Sequence, residues 1–291
     1  MLMTAAITRI DWLGMTLRVP HEWAIVKHAV SPQRGRLALV DRRRQRLMLA
    51  WSPCPDSPDW DRMLSDQESL ELEAHPGASF ERSVEQGWQV LRRSDEGSGV
   101  TRAARYDRAR RRVIELVIPV NEPGDAEDEL QVLTGFDVAP VEEGAGEAFC
   151  AFDLSIWVPS GWRLAKVAVQ PGQVEVVHEL GRASLTVRRL GMAESWLRGD
   201  AGSYLRQQLK LLKAQTMAMT WQGQPAWSID RREPGPRIKA ILGRLRRCTE
   251  LVWLQPDANA LVHATLMRPR RQTLSLEDFD IACLDAWNPD A

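Results

Sequence analysis

The sequence predicts an α+β protein made of two tandem similar domains, each an antiparallel β-sheet with helices packed on it. Val-Pro-x-x-Trp occurs twice, at residues 19–23 and 158–162, an offset of 139 (158 − 19). Apolar and polar residues alternate before each copy, which is typical of a half-buried strand. A pattern that returns at a fixed offset indicates an internal repeat.

Composition sets the broad class. The chain has 291 residues, which suits two domains of about 100–200 residues each. Its formal net charge of −1 argues against a chain-wide attraction to nucleic acid or membrane. No apolar run approaches the ~20 residues of a membrane span, and no signal peptide is evident. The four cysteines form no C-x-x-C pair, so we expect a cytoplasmic protein with reduced thiols.

Each half is predicted to follow the order β-β-β-β-α-β-β-β-α. In the second half, Leu205, Leu209 and Leu212 form one apolar helical stripe. Its first-half counterpart is predicted from Phe80, Val84 and Trp88.

A short closing helix is expected at the end of each half. Leu130 and Leu133 indicate the first of these helices. Leu276, Phe279 and Cys283 indicate the second, and Ser275 with Asp278 forms a capping pattern at its start.

The domain boundaries follow from this order. The first repeat is expected at residues 1–140 and the second at 149–291. An acidic, Gly-rich linker is expected between them at 141–148. The second repeat alone carries a basic insertion, residues 231–247.

The segment Phe152-Asp153-Leu154-Ser155-Ile156-Trp157-Val158-Pro159-Ser160-Gly161-Trp162 resembles the opening of PsbP/Mog-type domains, which include the DUF1795/DcrB-like domains. The resemblance extends through the meander and helix of each half. It implies a tandem of two such domains, where a single domain is the family norm. It also implies a non-enzymatic, protein-binding role, since some members act as chaperones for type VI secretion effectors. No site residue carries over from it.

Catalytic and metal-binding patterns are missing from the sequence. There is no G-x-S-x-G, Walker loop or G-x-G-x-x-G. The five histidines lack the short spacings of a zinc site. His178 and Glu179 are adjacent, but neighbouring strand residues point to opposite faces. We therefore predict no catalytic residue, no metal and no cofactor.

The basic insertion is the main candidate partner-binding element. Its apolar positions follow i, i+3, i+4 and i+7 with basic residues around them, which predicts a short amphipathic helix. A helix docked on its own sheet and a contact with an anionic partner or a membrane surface both fit this pattern. The candidate residues are Arg237, Ile238, Lys239, Ile241, Leu242, Arg244, Leu245, Arg246 and Arg247.

Two arginine-rich turns of the first half form a second candidate. They are solvated hairpin turns, or, if their tips lie together, a basic patch that faces phosphate or an acidic protein. The residues are Arg42, Arg43, Arg44, Arg46, Arg108, Arg110, Arg111 and Arg112.

The leading hypothesis is a non-catalytic protein-binding module, an adaptor or chaperone with a link to bacterial secretion effectors. A protein partner is expected, without a strong nucleic-acid signal. The chain would be a monomer that holds a pseudo-dimer of domains. The alternatives are a hydrolase with an inter-domain cleft, and a membrane-surface or nucleic-acid-associated protein that uses the basic insertion.

Overall fold

The computed structural model describes residues 6–122, 124–140, 144–210, 216–232 and 246–283. The chain divides into two compact units, Met1–Glu142 and Glu143–Ala291. Both consist of antiparallel strands with a few helices, which confirms the α+β class and the internal duplication.

The first unit has ten strands and two helices among its described residues. They are β1 (Ile7–Trp12), β2 (Met15–Pro20), β3 (Ala24–Lys27), β4 (Gly35–Val40), β5 (Gln45–Pro53), α1 (Trp60–Ala74), β6 (Ser79–Glu85), β7 (Trp88–Asp95), β8 (Ser98–Asp107), β9 (Arg112–Val120), α2 (Asp125–Gly135) and β10 (Asp137–Val138).

The second unit repeats this order, with two short helices in place of α1 and a 3₁₀ helix (Leu276–Asp278) in place of α2. Its elements are β11 (Glu147–Ala151), β12 (Leu154–Val158), β13 (Arg163–Gln170), β14 (Gln173–Leu180), β15 (Ala183–Gly191), α3 (Ala193–Trp196), α4 (Ala201–Leu209), β16 (Met217–Trp221), β17 (Gln224–Arg232), β18 (Arg246–Gln255), β19 (Ala260–Pro269) and β20 (Asp280–Cys283).

Each unit contains a seven-stranded sheet. The strand order is β3-β4-β5-β9-β8-β7-β6 in the first unit and β13-β14-β15-β19-β18-β17-β16 in the second. Three shorter strands accompany each sheet, in the order β10-β2-β1 and β11-β12-β20. All these neighbours run antiparallel.

The strand registers match between the two units. The register shifts between Ile25 and Lys27 of β3 and, 139 residues on, between Leu164 and Lys166 of β13 (164 − 25). The ladder β4–β5 has a further shift between Leu39 and Val40 that β14–β15 lacks. The rows of the following strands keep the same alignment in both units. Residues in the same row of the two ladders are called register equivalents below.

Val-Pro-x-x-Trp forms the same corner in both units. The strand before it ends at or next to the proline. The backbone N–H of the tryptophan then donates to the proline carbonyl, at 3.0 Å for Trp23 and 3.4 Å for Trp162. Both indoles are buried. The corner therefore turns the chain and closes one end of the core, because proline cannot extend the ladder.

Each seven-stranded sheet buries one face against its short strands. In the first unit Arg112 of β9 donates to the Leu13 carbonyl at 3.0 Å. In the second unit Phe149 of β11 lies edge-on to His178 of β14. The opposite face of the second sheet packs on α4 through Leu205 and Ile229. The site described below lies on this second sheet.

The helix predicted from Phe80, Val84 and Trp88 is wrong. These residues lie in β6 and β7, and the helix of this half is α1, upstream of them. Gln86 and Gly87 adopt positive φ (51° and 82°) and make a hairpin turn where the helical pattern would have to continue. The predicted helix α4 is confirmed over its described part; Leu212 lies outside the described residues.

Other boundaries also differ from the prediction. Five strands open each half instead of four. The capping box of Ser275 and Asp278 is present but opens only a 3₁₀ turn, after which Cys283 belongs to strand β20. The end of the expected linker, Glu147 and Ala148, lies in β11.

Candidate functional site: an arginine row on the second sheet

The basic insertion is described only at its ends. Arg231 and Arg232 close strand β17, and Arg246 and Arg247 open β18. The remaining predicted binding residues lie outside the described residues, so the amphipathic helix stays a prediction: Arg237, Ile238, Lys239, Ile241, Leu242, Arg244 and Leu245.

Strand pairing brings three arginines into one line across the sheet. Arg247 of β18 lies directly opposite Arg232 of β17 and directly opposite Arg268 of β19. Directly opposed residues share a face, with Cα atoms about 4.5–5.5 Å apart. We call Arg232, Arg247 and Arg268 the arginine row.

The charges of the arginine row are only partly compensated. Asp230 pairs with Arg247. Arg232 makes no ion pair or side-chain hydrogen bond with any other described residue. Among the described residues, one carboxylate against three guanidinium groups leaves a surplus of two positive charges (3 − 1), and like charges directly opposite destabilise a sheet by up to about 1 kcal/mol.

Arg268 is the buried member of the row. It is 8% exposed, and its Nη1 donates to Thr249 Oγ1 at 3.1 Å. Its Nε is buried without a hydrogen-bond partner among the described residues. No carboxylate in the described part of the chain pairs with Arg268. A buried guanidinium without a carboxylate is costly, so an anion would stabilise this position.

The first unit has no charge at the same place. The register equivalents of Arg232, Arg247 and Arg268 are Ser94, Gly99 and Val120, which also lie in one line across three strands. The fold therefore does not require arginine here. The row is a difference between two copies of one architecture.

An unprotected sheet edge lies on the same unit. Strand β16 ends the seven-stranded sheet and reads Met-Ala-Met-Thr-Trp, without a charge. Met217 and Met219 are exposed on it. Sheet edges usually carry charges or bulges that prevent pairing with another chain.

The other three edges of the seven-stranded sheets have such protection. Edges β3 and β13 each contain a lysine and a bulge, at Lys27 and Lys166. Edge β6 contains three charged residues, Glu81, Arg82 and Glu85. Among the described strands of these two sheets, β16 is thus the edge best suited to pair with an added strand.

A buried polar cluster lies on the α4 face of the second sheet. Glu250 accepts hydrogen bonds from Arg231 (2.6 and 2.9 Å), and its other oxygen lies 3.0 Å from His263 Nε2. Burial alone would raise the pKa of Glu250, but the contacts with His263 and Arg231 outweigh it and lower that pKa. The cluster therefore holds an ionised carboxylate that is already satisfied.

Cys248 lies beside this cluster but is a poor nucleophile. Burial first, and then the nearby negative charge of Glu250, raise the pKa of its thiol to about 12. Since the thiolate is the reactive form, the Cys248–Glu250–His263 arrangement does not match an activated nucleophile–base pair. Among the described residues, no group of three or more His, Cys, Asp and Glu is arranged to hold a metal ion.

The two arginine-rich turns of the first half lie at opposite ends of their strands. In the β5–β9 ladder Met48 pairs with Val117 and Pro53 pairs with Arg112. The turn before β5 and the turn before β9 are therefore far apart, and their tips do not form one patch.

Several arginines of these turns also have internal partners. Arg44 and Arg46 both bind Asp125 at the start of α2. Arg110 and Arg112 both pair with Asp107. Arg42, Arg43, Arg108 and Arg111 are exposed at the turn tips. These turns thus serve largely to attach hairpins to the fold, and a binding role for their exposed members stays a prediction.

The sequence could not reveal the arginine row, because Arg268 is 21 residues from Arg247 (268 − 247) and belongs to another strand. In the sequence, the run Arg268-Pro269-Arg270-Arg271 indicates only a second basic segment. Only the register between β18 and β19 places Arg268 beside Arg247.

No family model matches the chain, and no curated protein matches it. Three solved structures share similarity at low TM-scores. A Bacteroides thetaiotaomicron VPI-5482 protein is 15% identical over 50% of this chain and 53% of its own, with a TM-score of 0.30. The T6SS immunity protein TplEi from Pseudomonas aeruginosa is 9% identical over 96% of this chain and 98% of its own, with a TM-score of 0.34. MucB is 13% identical over 91% of this chain and 86% of its own, with a TM-score of 0.19.

These similarities assign no function to this chain. In the described part of the chain, no helix has the length and apolarity needed to cross a bilayer.

Proposed function

We propose that this protein is a non-catalytic protein-binding module whose second unit holds an extended, acidic segment of a partner protein. The observation that carries the proposal is the arginine row, which has a surplus of positive charge and a buried, incompletely bonded Arg268. Guanidinium groups bind carboxylates in bidentate geometry. An adaptor or chaperone role toward secreted effectors is the form that the PsbP/Mog-type resemblance favours.

Strand β16 supports an extended conformation for the bound segment. Its exposed edge would supply backbone hydrogen bonds, and Met217 and Met219 would supply apolar contact. Addition of a strand to a sheet edge is a recurrent mode of peptide recognition.

The edge and the row lie within reach of one peptide. Met217 pairs with Ser228, four residues before Arg232 on the same strand. At about 3.3 Å per residue, that separation is about 13 Å. A segment that pairs along β16 and continues past Met217 would bring its next residues toward the arginine row.

A labelled peptide of alternating Glu and Val tests this mode directly, with alternating Lys and Val as the charge-reversed control. We expect fluorescence anisotropy to show binding of the acidic peptide only. A charge on the edge should block pairing, and a carboxylate there also repels the acidic peptide, so Met217→Glu should weaken binding by about tenfold, or about 1.4 kcal/mol.

Val84→Glu is the matched control, because Val84 is also an exposed apolar residue on an edge strand, β6 of the first unit. It should leave the affinity unchanged. Equal weakening by both substitutions, or no binding of the acidic peptide, would contradict the proposal. Tighter binding of an oligonucleotide or of anionic vesicles than of the peptide would favour the nucleic-acid or membrane alternative instead.

A further inference from the structure

A second cluster of arginines lines a groove in the first unit. The groove has a volume of about 560 Å³, and Arg9, Arg18 and Arg105 line it with Gln86, Thr134 and Phe136. Arg9 of β1 lies directly opposite Arg18 of β2, and Arg105 comes from β8. We call this the arginine groove.

Two of the three guanidinium groups in the arginine groove have no polar partner within the described ranges of the chain. Arg9 pairs with Asp11. Arg18 and Arg105 make no side-chain hydrogen bond or ion pair with any described residue. Asp137 is the one acidic residue among the described residues that line the groove, and Asp11 compensates Arg9, so three guanidinium groups face two carboxylates and leave a surplus of one positive charge (3 − 2).

The second unit does not have these charges. The register equivalents of Arg9 and Arg18 are Ala148 and Trp157, which also lie directly opposite each other. The equivalent of Arg105 is the buried Trp253. Because the same architecture forms with apolar residues at these places, the three arginines are not needed to build it.

The walls of the groove offer more than charge. Gln86 and Thr134 carry neutral hydrogen-bonding groups, and Phe136 and Leu133 are apolar residues among the lining. A volume of this size is typical of sites for small organic ligands. Phe136 and Leu133 are buried, whereas Gln86 and Thr134 are exposed. Guanidinium groups beside neutral hydrogen-bonding groups fit a compact anion that is attached to a polar organic body.

We propose that the arginine groove is a binding site for a small organic phosphate, with its phosphate group held by Arg18 and Arg105. The organic body would lie toward Gln86 and Thr134. This proposal is independent of peptide binding by the second unit, because the two sites share no residue.

Isothermal titration calorimetry at low ionic strength tests the site with three probes: inorganic phosphate, glycerol phosphate and adenosine monophosphate. We expect at least one organic phosphate to bind more tightly than inorganic phosphate, with one site per chain. Arg18→Gln and Arg105→Gln should each weaken its binding by about tenfold. The affinity of Arg18→Lys should lie between that of the unmodified protein and that of Arg18→Gln, since lysine keeps the charge but loses the bidentate geometry.

Arg108→Gln is the control, because Arg108 is exposed at a turn tip away from the groove lining. It should bind like the unmodified protein. Arg18 is exposed, so its variants should fold even if Arg105→Gln does not. Absence of binding for all three probes, an affinity unchanged in Arg18→Gln, or tighter binding of inorganic phosphate than of either organic phosphate would overturn the proposal.

Discussion

His178 is a buried residue that differs between the two units. Its register equivalent is Leu39, a fully buried core residue. His178 is 2% exposed, and its Nδ1 has no partner among the described residues. Burial lowers the pKa of His178 from 6.5 to about 4, so it is a neutral core residue at pH 7.

This pKa shift predicts a loss of stability in acid. Between pH 6.5 and about pH 4 the unfolded chain binds a proton at His178 before the folded chain does. The contribution of neutral His178 to the free energy of unfolding is thus complete above pH 6.5 and is lost as the pH falls to about 4. A shift of this size corresponds to about 3 kcal/mol in the free energy of unfolding.

His178→Leu should remove that part of the pH dependence while it keeps the core filled, as Leu39 does in the first unit. Urea unfolding at several pH values measures the effect. His75→Gln, at a part-exposed site, should keep the original dependence. Unchanged acid sensitivity in His178→Leu would show that His178 is not its source.

The cysteines should differ sharply in reactivity. Cys54 is partly exposed, whereas Cys150, Cys248 and Cys283 are buried in the folded chain. Since burial also raises the pKa of Cys248 to about 12, we expect iodoacetamide near neutral pH to label Cys54 first and Cys248 far more slowly. Mass spectrometry of native and urea-unfolded protein measures this. Rapid native labelling of Cys248 would contradict its assignment as an inert core thiol.

At the scale of elements, the helix that covers the outer face of each large sheet is attached differently in the two units. Helix α1 buries no residue and is joined to its sheet by ion pairs of Glu71 with Arg93 and Arg102. Helix α4 buries Ala201, Gly202 and Leu205. The close approach of α4 depends on Gly202, where an added Cβ would lie 2.4 Å from Cδ1 of Trp227.

Gly202→Ala should therefore destabilise the protein, although alanine normally favours a helix by about 1 kcal/mol over glycine. We expect a net loss of about 1–3 kcal/mol, because the ring of Trp227 must shift in a packed interface. Gln207→Ala, at an exposed position of the same helix, should change stability by less than about 0.5 kcal/mol. Chemical unfolding compares the two, and a stabilised Gly202→Ala would show that α4 does not dock as described.

Sequence periodicity predicted strands and helices correctly where no turn residue interrupted the apolar pattern. The alternation before Val-Pro-x-x-Trp and the stripe of Leu205 and Leu209 correspond to real strands and a real helix. The spacing of Phe80, Val84 and Trp88 fits a helix equally well, but the turn at Gly87 decides for a hairpin. A short apolar pattern is thus ambiguous until its turn residues are considered.

At the scale of the whole molecule, duplication supplies an internal reference. The repeat itself is readable from two pentapeptides. The differences between the copies are not, because strand registers are needed to align Arg232, Arg247 and Arg268 with Ser94, Gly99 and Val120. The ends of the basic insertion contribute Arg232 and Arg247 to the arginine row, but Arg268 is separated from them in sequence and lies beside Arg247 only through the pairing of β18 with β19.

The register equivalence of the two units provides a variant that tests whether the arginine row binds an acidic partner segment. The variant Arg232→Ser, Arg247→Gly and Arg268→Val gives the second unit the residues of the first. The control Arg42→Ser, Arg43→Ser and Arg108→Ser removes the same number of charges from exposed turns.

The measurement is the affinity of each protein for the acidic alternating peptide at low and physiological salt. We expect the row variant to lose at least about tenfold in affinity, together with most of the salt dependence, while the control retains both. Equal affinities for the row variant, the control and the unmodified protein would contradict this expectation.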